Sequence, residues 1–212
     1  TNAIDGGNSV LARDWDRYLA DVAQANTVIE NIDKVPDASL TATERRQWKA
    51  EAKIFRSLVW FDMVRLWGNI PVVTKEGTDI TAENIEEVYP LYYPKQTAPA
   101  DTYAQIIKDL TEAIDDAPAN NAGDKTVLSK SAAETLLAKA YAEKPARDYT
   151  KVLQYCNDVI ADGFKLNPSF GDIYALNSAG TDLKNRSTAE SILEVNFFPG
   201  GGNWVTWMFG KD

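Results

Sequence analysis

The sequence predicts a mainly α-helical fold of stacked antiparallel hairpins, with short β-strands and long loops. Three observations carry this. Apolar residues recur at alternating steps of three and four over several long stretches, the period of one helix face. Prolines and glycines fall between those stretches: Pro36, Gly68 with Pro71, Pro118 and Gly163. The link between the first two stretches, Pro36-Asp37-Ala38-Ser39-Leu40, is short enough to make them antiparallel neighbours.

In chain order, residues 1–10 are polar, contain Gly6-Gly7 and read as a loop entering a helix. Leu11, Trp15, Tyr18, Val22, Ala25, Ile29 and Ile32 then form a stripe over a first helix, 11–34. A second helix occupies 43–67. Trp48, Ala52, Phe55, Val59, Met63 and Leu66 lie on one face, and Ile54, Leu58 and Phe61 fill a stripe beside it. Such a helix is roughly 40 Å long, enough to span a small domain. Gly68 supplies a left-handed cap, Asn69-Ile70-Pro71 forces extended chain, and Val72-Val73-Thr74 reads as a short strand.

Residues 75–100 read as a long loop broken by Pro90, Pro94 and Pro99 and rich in tyrosine. Tyr103, Ile107, Leu110, Ile114 and Ala117 mark a third helix, capped by Asp101 or Thr102. Ser131-Ala132-Ala133-Glu134 has the form of a capping box before Leu136, Leu137, Ala140 and Tyr141. Asp148 caps a further helix with the face Val152, Cys156, Val159 and Ile160. Leu137-Ala138-Lys139-Ala140-Tyr141 carries the spacing of a tetratricopeptide helix A, and Val152, Cys156 and Val159 that of helix B. The turn between them is longer than the consensus. The three to five helices therefore read as hairpins of tetratricopeptide-repeat type.

Composition narrows function. The 212 residues allow one domain or a large piece of a bigger one, and 44% hydrophobic residues suffice for a core. Six tryptophans suit packed helices or a stacking surface for a ligand. A net charge of −9 without a basic stripe argues against nucleic acid. The absence of histidine removes Ser-His-Asp and Cys-His chemistry and the commonest metal ligand. Cys156 is the single cysteine, which excludes an intrachain disulfide and a cysteine zinc site; its place on an apolar stripe predicts a buried small hydrophobe. No cofactor is expected. No stretch has the length of a transmembrane helix, and the first residues lack a signal-peptide pattern.

Paired carboxylates are the remaining catalytic option, at Asp115-Asp116 and Glu86-Glu87. Adjacent residues on a helix point about 100° apart, so neither pair is arranged to flank a bond, and both read as solvated surface acids. Asp115, Asp116, Asn120, Asn121 and Asp124 lack the alternating spacing of a calcium loop.

The run Glu51-Ala52-Lys53-Ile54-Phe55-Arg56-Ser57-Leu58, then Trp60-Phe61 and Val64-Arg65-Leu66-Trp67-Gly68-Asn69-Ile70-Pro71, resembles the SusD/RagB family. Ser57 stands where Ala is usual and Trp67 where Tyr is common. The likeness extends to Trp15, Tyr18 and Asn26, to Asp101–Leu110, to Asp162-Gly163-Phe164-Lys165-Leu166 with Phe170-Gly171-Asp172-Ile173-Tyr174, and to a strand at Glu190–Phe197. It covers about residues 11–198. Family members are much longer, so the sequence reads as part of a longer chain: a first hairpin at 11–67, a long loop at 75–100, tetratricopeptide-like helices at 101–163, and a loop and strand region at 164–212.

The resemblance implies an outward-facing outer-membrane lipoprotein that binds nutrients without chemistry. It would capture a polysaccharide or oligosaccharide, or in some members peptides, as the lid of a SusC-like TonB-dependent transporter. The lipidated cysteine would lie outside this sequence. A module that binds only a protein partner is the rival reading. Sugar rings stack on flat aromatics while amides and acids bind hydroxyls. Tyr89–Lys95, with Tyr92 and Tyr93, and Gly200–Trp207, with Trp204 and Trp207, are the candidate ligand loops, and Asn8 is a further polar candidate. These aromatics contact ligand, or they pack on the rest of a longer chain or on a transporter.

Overall fold

The computed structural model describes residues 7–120, 124–180 and 182–195. Among them are six α-helices: α1 (Ser9–Asn31), α2 (Ala42–Trp67), α3 (Ile85–Tyr92), α4 (Pro99–Ala113), α5 (Lys130–Ala142) and α6 (Tyr149–Ala161). The two strands β1 (Ile70–Pro71) and β2 (Gln96–Thr97) pair antiparallel, Ile70 opposite Thr97 and Pro71 opposite Gln96. The long helices stack in sequence, α1 on α2, α2 on α4, α4 on α5 and α5 on α6. That succession is the helical-hairpin stack predicted from the periodicity.

The first hairpin is fixed at both ends. At its open end Trp67 packs edge-on against Trp15 and Tyr18, at ring-centroid distances of 5.2 and 5.8 Å. At its turn, Arg45 donates to the carbonyl oxygens of Ile32, Val35, Asp37 and Leu40, so one guanidinium satisfies four acceptors of the link. Thr41 and Glu44 close a capping box at the start of α2. Gly68 ends that helix at φ +77° and ψ −101°, a positive-φ conformation open to glycine but outside the left-handed helical region.

The core lies where α2 crosses α4 and α5. Trp60, Met63, Ile54, Ile70, Ile106, Leu110 and Leu137 are fully enclosed. Ala133 and Ala140 on α5 and Ala113 on α4 are as deeply buried, and their small side chains let the helices approach closely. Phe61 meets Tyr103 edge-on at 6.1 Å, and Tyr141 stacks on Tyr155 across the α5–α6 turn at 6.2 Å.

Several local expectations are corrected. Trp48 and Leu66, assigned to the core face of the second helix, are 49% and 65% exposed. The buried surface of α2 instead rotates toward Arg56, Ser57 and Trp60, because α1 and α4 cover it from two sides. The strand falls at Ile70–Pro71 rather than Val72–Thr74, since its partner among the described residues is the short β2. The 75–100 loop contains α3 and β2. α4 starts at Pro99 with Ala98 as its N-cap, before Asp101 and Thr102; proline is tolerated in a first turn because its missing N–H needs no partner there.

Ser129, not Ser131, caps α5, accepting from the Ala132 N–H. Ser131 donates instead to the Asp162 carboxylate at 2.6 Å, which ties α5 to the end of α6. Asp148 does cap α6, accepting from the N–H groups of Thr150 and Lys151. Cys156, expected in the core, is exposed: it lies on the open side of the groove between α5 and α6, whereas Val159 on the same stripe is buried. Residues 190–195 are the end of a turn, a bend and irregular chain rather than a strand, and the rest of the expected strand lies outside the described residues.

Candidate functional site

The excursion between β1 and β2 leaves the helical stack and returns to it, and a buried polar network fixes its root. Arg56 on α2, 3% exposed, donates through Nε and Nη2 to Asp109 Oδ2 on α4, at 2.9 and 2.6 Å. Its Nη1 donates to Asn26 Oδ1 on α1 and to the Thr74 carbonyl. The Asn26 amide donates in turn to the carbonyls of Val73 and Lys75, at 2.9 and 3.2 Å. Gln105 donates to the other Asp109 oxygen at 2.8 Å. Burial pushes the Asp109 carboxyl above its ordinary range, opposed by the charge and hydrogen bonds of Arg56. Every member of the network has a partner, as a buried charge requires.

The next turn of the excursion is pinned at the surface. Thr27 and Asn31 on α1 donate to the Glu76 carboxylate, and these hydrogen bonds hold its pKa below the usual carboxylate range. Gly77 follows, and a Cβ there would lie 3.0 Å from the Tyr92 ring, so glycine lets the backbone approach that face. The Tyr92 hydroxyl donates to the Thr78 carbonyl at 3.1 Å. Asn84 binds back to the Thr81 N–H and the Asp79 carbonyl, shaping the turn before α3.

These fixings hold a row of aromatic side chains in solvent. Tyr89 and Tyr93 stack on one another, with centroids 4.7 Å apart and planes 28° apart, and are 50% and 67% exposed. Tyr92, also 50% exposed, borders a cleft of about 450 Å³ between α1 and the excursion. The cleft floor is apolar, from Leu19, Val22, Pro71 and Val73, while Thr27, Lys75 and Glu76 supply polar groups at its edge and Asn26 lies beneath, its amide spent on the buried network. Flat apolar rings beside a few hydroxyl, ammonium and carboxylate groups can bind a sugar through its C–H face and its hydroxyls.

Tyr92 and Tyr93 thus belong to one surface, through α3 rather than an irregular loop. Asn8 is the N-cap of α1, and its Oδ1 accepts from the N–H groups of Val10 and Leu11 at 3.0 and 3.2 Å, which engages that oxygen in the helix. Trp204 and Trp207 lie outside the described residues. Sequence reasoning missed Tyr89 as the stacking partner of Tyr93, although their spacing of four is that of neighbours on a helix face. It also assigned Trp48 to the core, whereas that side chain borders a shallow groove with Val28, Glu51, Phe55 and Leu128.

The acidic pairs have surface partners. Asp116 accepts from Arg46 at 3.0 Å and Glu87 lies 3.4 Å from Lys75. Among the described residues no three acidic or cysteine side chains cluster as metal ligands would; Asn121 lies outside them. No described helix is long and apolar enough to cross a membrane.

Residues 2–142 match a SusD-like family described as starch-binding and associating with the outer membrane. A SusD-like protein of Bacteroides ovatus is 27% identical over 201 residues, 90% of this chain and 34% of its own length. The chain thus spans about a third of that relative. A crystal structure with xylogluco-oligosaccharide superposes with a TM-score of 0.67 and 22% identity, over 95% of this chain and 38% of that one. A laminarin-binding SusD-like protein superposes at 0.56 and 21%, over 80% and 36%.

Proposed function

The chain belongs to the SusD-like family, and from that membership we propose that it is part of a non-catalytic glycan-binding protein on the outer-membrane surface. The ligand is a polysaccharide or oligosaccharide. The protein acts as the lid of a SusC-like TonB-dependent importer and is held to the membrane by a lipid anchor outside this sequence. The observation that carries the reading is the exposed tyrosine row on α3, beside an apolar cleft and fixed at its root by the buried Arg56 network. Aromatics left half or more exposed after their contacts within the excursion are suited to a ligand whose rings they can stack on. Of the two acidic pairs, Asp116 accepts from Arg46 and Glu87 lies against Lys75, each at the surface rather than facing another acid across a cleft, which supports capture without bond cleavage.

The test is glycan binding by the full-length protein, measured by affinity electrophoresis and calorimetry against starch, xyloglucan, laminarin and a mixture of tryptic peptides. Glucans lead the panel because two proteins of the same fold are described with such ligands. The expected result is retention by at least one glycan, with no release of reducing ends. Tyr89→Ala and Tyr93→Ala are each expected to weaken binding about tenfold, the loss of one stacking contact. Binding of peptides but of no glycan would replace this reading with the peptide-capturing one. Binding of neither, with stable capture of a protein partner, would favour the scaffold reading.

A further inference from the structure

The motif Phe170-Gly171-Asp172-Ile173-Tyr174 takes no part in the tyrosine row on α3, and it borders a cavity of its own. A short 3₁₀ turn over Phe170–Ile173 sets the rings of Phe170 and Tyr174 edge to face, with centroids 5.7 Å and planes 65° apart. Both rings stand in solvent, 76% and 68% exposed. They flank a cavity of about 410 Å³ whose opposite wall comes from residues 183–195. That wall is polar, built chiefly from the partly buried Asn167, Asn185, Glu190 and Glu194.

Hydrogen bonds fix the wall in advance. Glu190 Oε2 accepts from the Asn167 N–H at 2.8 Å, and the Asn167 amide donates to the Thr188 hydroxyl at 3.2 Å. Glu194 Oε1 accepts from the Ser187 N–H at 3.0 Å, and Asn185 donates to the Asp172 carbonyl at 3.2 Å. These bonds use one oxygen of each carboxylate and an N–H of each amide. The second carboxylate oxygens and the amide oxygens are acceptors that a hydroxyl can meet. Ser187 lies at φ +52°, the one non-glycine residue with positive φ among the described residues, and such strain persists where surrounding contacts enforce it. Buried Lys125 ties the wall to the rest of the chain. Its carbonyl accepts from the Glu194 N–H at 2.7 Å, and its ammonium lies 4.5 Å from the centre of the Phe164 ring.

The lining selects a class of ligand. Two acids and no cation border the cavity, so an anion is repelled. Among the described residues no three acids gather as a metal would need. An apolar occupant would leave the two carboxylates desolvated without partners. A neutral molecule with C–H faces for the rings and hydroxyls for the acceptors satisfies both halves of the lining, and that is an uncharged sugar. We propose that this cavity is a second glycan-binding site, selective for neutral sugars, with Phe170 and Tyr174 as its stacking platform and Asn167, Asn185, Glu190 and Glu194 as its hydroxyl acceptors. The proposal rests on the glycan-binding reading above and adds a second point of contact to it.

Nitration of tyrosines in the full-length protein, mapped by peptide mass, tests it with short oligosaccharides from starch, xyloglucan and laminarin as probes. Tyr174 is expected to react readily in the free protein. One of the probes, at about ten times its dissociation constant, is expected to slow that reaction about tenfold, and to do so equally in Tyr93→Ala. Phe170→Ala is expected to lose this protection while Tyr89 and Tyr93 keep theirs, and an oligogalacturonate is expected to give none at Tyr174. A Tyr174 unreactive in the free protein would overturn the proposal, because the rest of the polypeptide then covers the ring. Undiminished protection in Phe170→Ala would remove the platform, and loss of protection in Tyr93→Ala would mean one shared site. Protection by the oligogalacturonate would overturn the neutral assignment. A reactive Tyr174 that no probe protects would also overturn the proposal. If a glycan still retains that protein, the glycan-binding reading stands alone; if none does, both fall.

Discussion

The helical stack and the excursion between β1 and β2 treat similar residues in opposite ways. In the stack, Trp60 and Tyr103 are enclosed, and a full charge, Arg56, is buried among them at 3% exposure. In the excursion, Tyr89, Tyr92 and Tyr93 are half or more exposed, and the charges lie at the surface. The contrast shows that residue type does not decide exposure here. What decides it is whether neighbouring helices close over the side chain. The two regions meet at Asn26, which accepts from Arg56 on one side and donates to the excursion's backbone on the other. The buried network therefore holds the stack together and sets the root from which the tyrosines project.

Arg56→Ala breaks that contrast most severely. It leaves Asp109 buried without its counter-ion and Asn26 without a donor, and is expected to destabilise the fold by about 3–5 kcal/mol, measured by urea denaturation. A loss below about 1 kcal/mol would mean that water reaches the site and the network is not closed. Gly68→Ala acts next, at the junction of stack and excursion. A φ of +77° with ψ −101° is strained for any Cβ-bearing residue, so a loss of about 1–3 kcal/mol in thermal unfolding is expected. An unchanged melting temperature would show that the junction relaxes freely.

Replacing Tyr93 or Tyr89 by alanine sharpens the comparison from the other side. Stability is expected to stay within about 0.5 kcal/mol, because each ring is at least half exposed, while glycan affinity falls. A large stability loss instead would make the pair a packing feature. The smallest effect is a pH dependence at Glu76. Its carboxyl is held low by hydrogen bonds from Thr27 and Asn31, so its contribution is present above the ordinary glutamate pKa and is lost as pH falls through its lowered folded value. The difference in melting temperature between wild type and Glu76→Gln should therefore be present at neutral pH and shrink toward pH 3. A gap that widened on acidification would contradict the assigned hydrogen bonds.

Family membership and the helical fold were legible because both reside in local pattern: an apolar period, a stop at Gly68, and the run from Glu51 to Pro71 that contains Arg56 and Trp67. Half of the candidate site was legible too, as tyrosines placed between prolines. The remainder was not. Pro90 argued for irregular chain at 85–92, yet an eight-residue helix, α3, forms there with Pro90 inside it, giving up one backbone hydrogen bond, and brings Tyr89 onto Tyr93. Asn8 looked free and is a helix cap. Trp48 and Cys156 looked buried and are exposed.

The sequence by itself determined where the five long helices run, though not the short α3, since periodicity, caps and breakers act over a few residues. Only the tertiary structure decided which side of each helix is covered. Arg56, Asn26 and Asp109 are 83 residues apart at their extremes in the chain (109 − 26) and meet at one point. Their partnership follows from the crossing of α1, α2 and α4 rather than from any spacing. A polar group is stable in that interior only when all of its partners arrive together, and that condition is met by packing.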